Sequence, residues 1–493
     1  MIGRAGRSPA AEMRIRVVAD IVLTAGGTLV LLVLARDLYD FGWSEHRLPL
    51  SAAWVAKHLC LTAIAALLFA SLRLRSVVKT AAASLCLTVV ALVYATEIVL
   101  ARPTSAFGPE AMLPFWSIDS SSPEHREEVA KLARAAGVSI DTRSRSELLD
   151  DLRRRYSNAV SAVMLGVVLE EQLKSGVTNP DELMPAGGLS STMTLLCNEG
   201  GQYVTYESDE HGFRNPAGVW SSARADLALV GESHVQGYCV PDGKGFADLL
   251  RAHFPVTLNL GVSGQSSLLQ LAAIREYLPR YAPKVVLWMF SEGIDLKDLG
   301  VEARDPLLVR YLEPAFGQGL LNRQPEIDHA LRRFASASER RDREARSAPK
   351  EDAFVGRSLG VIKLWHLRQK IDRMYGLDEE DDAEALPERA THEMLSRALA
   401  MAQTATSSWG GTLYFVYLPS WQRYRNGPAV FERERQQVTA LVRALGIPII
   451  DVQAAFQAQD DPLFLFPFRR FGHYNERGNE VVAQAVLTFL QMR

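Results

Sequence analysis

Cysteine is scarce: four among 493 residues, too few for a disulfide-built scaffold. An excess of charge of either sign is missing as well. Fifty-four Lys and Arg stand against 57 Asp and Glu, for a formal charge of -3, so the chain lacks the polycation signature of a nucleic-acid partner. There is no Gly-x-x-x-x-Gly-Lys loop to cradle a phosphate and no His/Cys/Asp cluster with metal-ligand spacing, so no cofactor and no metal are called for. Internal repeats and low-complexity tracts are absent. The balance of 48% hydrophobic and 23% charged residues is that of a folded protein.

What is present is unevenly spread. Long apolar runs crowd into the first hundred residues, at 17–36, 52–72 and 77–101. Each holds about 20 residues or more, roughly 30 Å as a helix, which matches a bilayer core. A signal peptide would need a small-residue cleavage site, whereas Val33-Leu34-Ala35 runs into Arg36 and Asp37. Residues 1–102 therefore read as a membrane anchor of three transmembrane helices in contact with a lipid bilayer. Arg4, Arg7, Arg14 and Arg16 precede the first span, and Arg73, Arg75 and Lys79 fill the link between the second and third. The positive-inside bias places that link and the N-terminus in the cytoplasm, and three spans then deliver the remainder outside. Asp20, Lys57 and Glu97 lie within the spans. Lys57 and Glu97 sit at similar depth and could pair; alternatively Lys57 snorkels and Glu97 touches interfacial water.

Residues 103–220 read as a helical and irregular lead-in region, with helices expected at 123–137 and 144–155. From Asp226 the pattern changes to short apolar runs alternating with helical stretches. Asp226–Val230, Val256–Val262, Lys284–Phe290, Gly411–Leu418 and Pro448–Val452 are strand candidates. Helices are expected at 243–253, 266–280, 429–444 and 474–491. Buried strands alternating with helices indicate an α/β domain over 221–493, a parallel sheet covered on both faces. A charged helical insertion interrupts it at about 296–410. Its acidic run Asp378–Glu384 reads as a solvated loop. In an oxidising compartment Cys197 and Cys239 are a natural pair, with two free thiols as the alternative. Closing a loop of about 43 residues could stabilise by roughly 4 kcal/mol, and the bridge would brace the loop after Ser233.

The chemistry-bearing residues stand at strand ends. The first strand runs into Gly231-Glu232-Ser233, followed by Gly237. A serine just past the carboxyl end of a parallel strand lies where open α/β sheets bind ligands. The second strand ends in Asn259-Leu260-Gly261-Val262-Ser263-Gly264, and the third in Ser291-Glu292-Gly293-Ile294-Asp295. The last helix opens with Gly472-His473-Tyr474-Asn475.

This ordered set resembles the blocks of the SGNH (GDSL-type) hydrolase superfamily, whose flavodoxin-like parallel sheet is flanked by helices. The resemblance implies Ser233 as nucleophile, His473 as base, and an oxyanion hole from the Ser233 and Gly261 backbone. Cys197-Asn198-Glu199-Gly200, Ser208-Asp209-Glu210-His211-Gly212-Phe213-Arg214-Asn215-Pro216 and Tyr417-Leu418-Pro419 look like segments of membrane-anchored bacterial SGNH-like proteins encoded among envelope polysaccharide genes. The implied setting is the bacterial plasma (inner) membrane, multi-pass, with the large C-terminal domain periplasmic. The implied activity is that of a serine esterase or O-acyltransferase on a cell-envelope glycan or acylated small substrate. A transferase would need a separate acyl-donor membrane protein.

Two positions depart from the family pattern. Ile294 stands where the third block has an asparagine, and a lost oxyanion-hole donor is worth about 10²–10³ in rate. The family's aspartate, two or three residues before the histidine, is replaced by Phe471 and Arg470. Asp460, Asp461 or a backbone carbonyl are the candidates to orient His473. His234 is expected to point away from the nucleophile in a tight loop. The alternative reading is an SGNH fold without chemistry, serving as a glycan-binding or assembly module.

Overall fold

A computed structural model describes residues 9–39, 52–100, 139–175, 183–347, 387–427, 431–469 and 472–491, with isolated positions between 127 and 134 and at 364 and 367. The acidic run Asp378–Glu384 and most of the helix expected at 123–137 lie outside the described residues. The chain divides into two compact units, Met1–Ala106 with Pro349–Glu379, and Phe107–Ala348 with Glu380–Arg493.

The first unit contains α1 (Pro9–Tyr39), α2 (Ala52–Ser71) and α3 (Ser76–Leu100). Ala19, Leu23 and Ala83 form its small core, and Gly27 admits the Phe69 ring at a distance no side chain would allow. Many leucines point outward instead, among them Leu29, Leu32, Leu67, Leu85 and Leu92. Among the described residues, two helical stretches are long and apolar enough to cross a membrane, Glu12–Ala35 and Ser76–Ile98; in α2 the apolar stretch is the shorter His58–Ser71. Asp20 pairs with Lys79 at 2.7 Å. Glu97 is fully buried and accepts the Leu367 N–H at 2.7 Å, while the Lys57 side chain lies outside the described residues.

The second unit is built on a five-stranded parallel sheet. Its strands are β4 (Leu227–Val230), β5 (Thr257–Asn259), β6 (Val285–Ser291), β7 (Thr412–Leu418) and β8 (Ile449–Asp451), in the order β5-β4-β6-β7-β8. All pairs are parallel. The order reverses at β4, so the crevice at the carboxyl ends of β4 and β6 is the topological switch point where ligands bind in such sheets. Successive side chains of a strand face opposite ways, and both faces of this sheet are covered, which is why the strands are apolar throughout. On β6, Val286, Trp288 and Phe290 enter one core with Leu271 and Leu399; Leu287 and Met289 enter the other with Phe246, Val482 and Val486.

All five expected strands are present. The expected helices appear as Phe246–Arg251, Ser267–Tyr277, Glu432–Ala444 and Glu476–Gln491, and that of 144–155 as Arg145–Arg153 with a Ser144/Glu147 capping box. Glu388–Ser408, placed by sequence in the charged insertion, covers the sheet: Leu395, Ala398, Leu399 and Ala402 are fully buried at helical spacing. The lead-in region differs more. It holds a second, three-stranded sheet in which β2 (Met193–Cys197) lies between β1 (Val160–Ser161) and β3 (Val204–Glu207). β2 and β3 form an antiparallel hairpin with a register shift between Leu195 and Cys197.

Candidate active site

β4 runs without a break into the turn that carries Ser233. At Gly231 a Cβ would lie 2.3 Å from the Val235 side chain, so the turn closes only on glycine. Glu232 caps the one-turn helix Ser233–Gln236 with its own side chain, accepting the Ser233 and His234 N–H groups. Ser233 is 7% exposed, just past the carboxyl end of β4. The loop beyond is held from behind by Arg214, which donates to the Gly237 and Val240 carbonyls at 2.7 and 2.8 Å and pairs with Asp242 at 2.6 Å. The segment 208–216 forms a turn with Arg214 and Phe213 buried.

His473 precedes the last helix and reaches the serine: Nε2 lies 2.8 Å from Ser233 Oγ. Its other nitrogen, Nδ1, lies 2.8 Å from Oε1 of Glu199. Glu199 follows β2 and belongs to the small sheet, 34 residues before Ser233. The candidates Asp460 and Asp461 are not the partners. Asp460 is exposed, and Asp461 caps the turn at Leu463 and pairs with Arg469. A carboxylate on Nδ1 keeps the proton there and leaves Nε2 to accept from the serine hydroxyl. Burial acts to lower the His473 pKa, but the charge and hydrogen bond of Glu199 and the charge of Glu232 outweigh it and hold the imidazole above its ordinary value.

Cys197 and Cys239 are joined as a disulfide with their Cα atoms 5.3 Å apart. The bridge lies two residues from Glu199, whose N–H donates to Cys239 Sγ at 2.9 Å. Tyr238, just before Cys239, lays its ring 4.4 Å from that of His473.

Glu232 is the second carboxylate at the serine. It accepts from the Ser233 N–H and from the Ser233 hydroxyl, and it contacts His234 Nδ1. Ser291 donates to it at 2.7 Å. His234 thus does not turn away: it is buried, with its ring 5.0 Å from that of His473. Burial opposes the Glu232 charge, yet His234, His473 and the Ser233 hydrogen bond hold its carboxyl well below the usual carboxylate range. Glu232, His234 and His473 bring potential ligand atoms within 4.8 Å of one another. Glu232 bonds to both His234 and Ser233, and His473 bonds to Ser233, an arrangement suited to moving protons.

The backbone donors assigned to an oxyanion hole are both engaged. Glu232 holds the Ser233 N–H, and Asn259 Oδ1 accepts the Gly261 N–H at 2.9 Å. Gly261 is where the second strand end meets the nucleophile turn: a Cβ there would fall 2.5 Å from Val235 Cβ. Ile294 occupies the N-cap of the Asp295–Glu302 helix, and its side chain supplies no cap hydrogen bond. Asp295 beside it is buried and accepts from the Ser291 N–H at 3.2 Å; burial first, then the Glu232 charge, push its carboxyl well above the usual range.

Sequence reasoning leaves Glu199 out because family habit places the acid beside the histidine. The signal that finds it is the cysteine pair. A Cys197–Cys239 bridge carries the residues after Cys197 to the loop after Ser233, and Glu199 is the carboxylate they hold.

No family model matches the chain, and no curated protein matches it. Solved structures do. One is a member of the lipolytic G-D-S-L family from Veillonella parvula, 15% identical over 53% of this chain and 96% of that one, with a TM-score of 0.28. Another is a two-domain esterase active on acetylated mannans, 13% identical over 56% of this chain, with a TM-score of 0.28; this chain spans half its length. A third is a catalytic mutant of an acetylxylan esterase from Geobacillus stearothermophilus, 14% identical over 54% of this chain and 93% of that one, with a TM-score of 0.30.

Proposed function

We propose that this chain is a membrane-tethered serine esterase or O-acyltransferase of SGNH type acting on an acylated glycan of the cell envelope. The observation that carries the reading is the relay Ser233 Oγ–His473 Nε2 and His473 Nδ1–Glu199 Oε1, each at 2.8 Å. Ser233 Oγ attacks the ester carbonyl and its proton passes to His473 Nε2, while Glu199 steadies the imidazolium. The tetrahedral adduct collapses, the leaving alcohol takes the proton from His473, and the acyl group stays on Ser233. Water then completes a hydrolysis, or a sugar hydroxyl completes a transfer. The oxyanion draws on the Ser233 N–H once Glu232 gives it up. The glycan substrate and a separate acyl donor rest on the resemblance of segments 197–200, 208–216 and 417–419.

The tether in this reading is three spans, α1, α2 and α3, with the N-terminus in the cytoplasm and the α/β unit outside. Arg4, Arg7, Arg14, Arg16, Arg73, Arg75 and Lys79 support that orientation. A second reading is a glycan-binding or assembly module. Ile294 and the carboxylate on the Ser233 amide favour it, because both subtract from oxyanion binding.

The test uses the full chain in detergent: labelling by a fluorophosphonate probe and turnover of an aryl acetate, beside Ser233→Ala and His473→Ala. Both variants are expected to lose about 10⁴–10⁶ in rate, the loss typical of a nucleophile or base. An unlabelled, inactive but folded wild type would decide for the binding module.

A further inference from the structure

We infer that the Cys197–Cys239 disulfide is a positioning element of the Ser233–His473 site, holding Glu199 against His473 so that the site is assembled only in the oxidised chain. Its effect on rate rests on the esterase reading; its effect on His473 does not.

The two sheets of this unit share no strand pairing. Ser233 and His473 belong to the five-stranded sheet and its last helix, whereas Glu199 belongs to the turn that closes the small hairpin. The bridge joins the end of β2 to the loop six residues beyond Ser233. Two residues of chain separate Cys197 from Glu199, and an extended chain covers at most about 3.6 Å per residue. While the bridge is closed, the Glu199 Cα is therefore confined to within about 7 Å of a point fixed to the nucleophile loop. The Glu199 N–H bond to Cys239 Sγ tightens this further. Displacements of about 1 Å in such a constellation cost about 10² in rate.

Other contacts are present and set the competing expectation. Asn198 donates to the Asp141 carbonyl at 3.3 Å and Asp141 to the Gly201 carbonyl at 2.7 Å, which braces the turn from within the lead-in region. Gln236 donates to the Tyr206 hydroxyl at 3.0 Å, a non-covalent link between the two sheets. If these sufficed, the bridge would add stability and nothing at His473.

His473 faces Glu199, Glu232, the Ser233 hydroxyl and the rings of His234 and Tyr238. Glu199 and Tyr238 adjoin the bridge, and of these two only Glu199 carries a charge. Opening the bridge therefore removes the nearer of two carboxylates and leaves Glu232 in place. Reduction by a dithiol such as dithiothreitol breaks the Sγ–Sγ bond: two electrons and two protons pass to the cysteines, and the reagent closes to its own disulfide.

The experiment compares four forms of the full chain in detergent: wild type, Cys197→Ser with Cys239→Ser, Glu199→Gln, and a chain with one glycine inserted after Asn198. Hydrogen–deuterium exchange at the His473 ring carbon, read by mass spectrometry against pH, gives its titration without catalysis. Fluorophosphonate labelling of Ser233 gives the rate. In all three altered chains His473 is expected to titrate lower than in wild type, and labelling to slow by about 10²–10⁴. Glu199→Gln added to the serine pair should bring no further loss. A serine pair that keeps the wild-type His473 titration would overturn the proposal. The glycine insertion keeps the bridge and lengthens the tether, so it decides the matter by the same readout if the serine pair does not fold. Absent labelling with the His473 shift intact would sink the esterase reading and leave the tether standing.

Discussion

Two carboxylates flank one serine–histidine pair, and they come from different regions of the molecule. Glu199 arrives from the small hairpin and meets the far nitrogen of His473. Glu232 arrives from the end of β4 and meets Ser233 itself, at both hydroxyl and amide. Each raises the proton affinity of His473 through its charge. In the proposed reaction their effects are opposite. Glu199 would stabilise the imidazolium that forms as Ser233 attacks. Glu232 would keep its charge on the Ser233 amide, where the oxyanion needs a donor. The same group in two places aids and obstructs one step, so position relative to the developing charge decides its role.

Refilling the oxyanion site should have the largest effect. Ile294→Asn restores a side-chain donor at the end of β6, and a full donor is worth about 10²–10³ in rate. A rise in aryl acetate turnover of about tenfold or more is expected, since the donor arrives without other adjustment. A folded variant with unchanged turnover would show that Ile294 does not border the oxyanion. Glu232→Asp is the smaller counterpart. It withdraws the carboxylate by one methylene from the Ser233 amide, and the expected gain in kcat is a few-fold to about tenfold, with the His473 titration little moved. A fall in kcat would mean that Glu232 supports the nucleophile turn more than it obstructs the oxyanion.

The two regions also differ in how far they can be read from sequence. Strands such as Val285–Ser291 are unbroken apolar runs because both faces of the sheet are covered, and Gly, Asn and Ser mark their ends. Their order along the chain places Ser233, Gly261 and Ile294 at one edge, and His473 follows from the opening of the last helix. The small sheet offers strands of two to five residues, too short for a period to show. Glu388–Ser408 is obscured by its charged face, while a narrow stripe at 391, 395, 398, 399, 402 and 406 is buried. Glu199 is set by a contact across 274 residues, which local pattern does not encode. The cysteine spacing is the one long-range clue, and it points to the right turn.

The smallest expected effect separates the carboxylates by pH. Glu199 helps hold His473 above its ordinary value in the folded chain. For a base whose folded pKa is raised, the stabilisation is fully present below the unfolded value, about 6.5, and is lost as pH rises through the folded one. Catalysis needs the reverse, because Nε2 must be free to take the serine proton. Over the window above about 6.5, this pair's contribution to Tm should therefore fall while kcat/KM climbs. Glu199→Gln should flatten that part of the Tm profile and move the rising limb of the remaining activity to lower pH. Both are read by measuring Tm and kcat/KM across pH 5–9 in the two proteins. If the limb stays where it was, Glu232 alone sets the His473 charge, and the distinction drawn between the two carboxylates fails at the histidine.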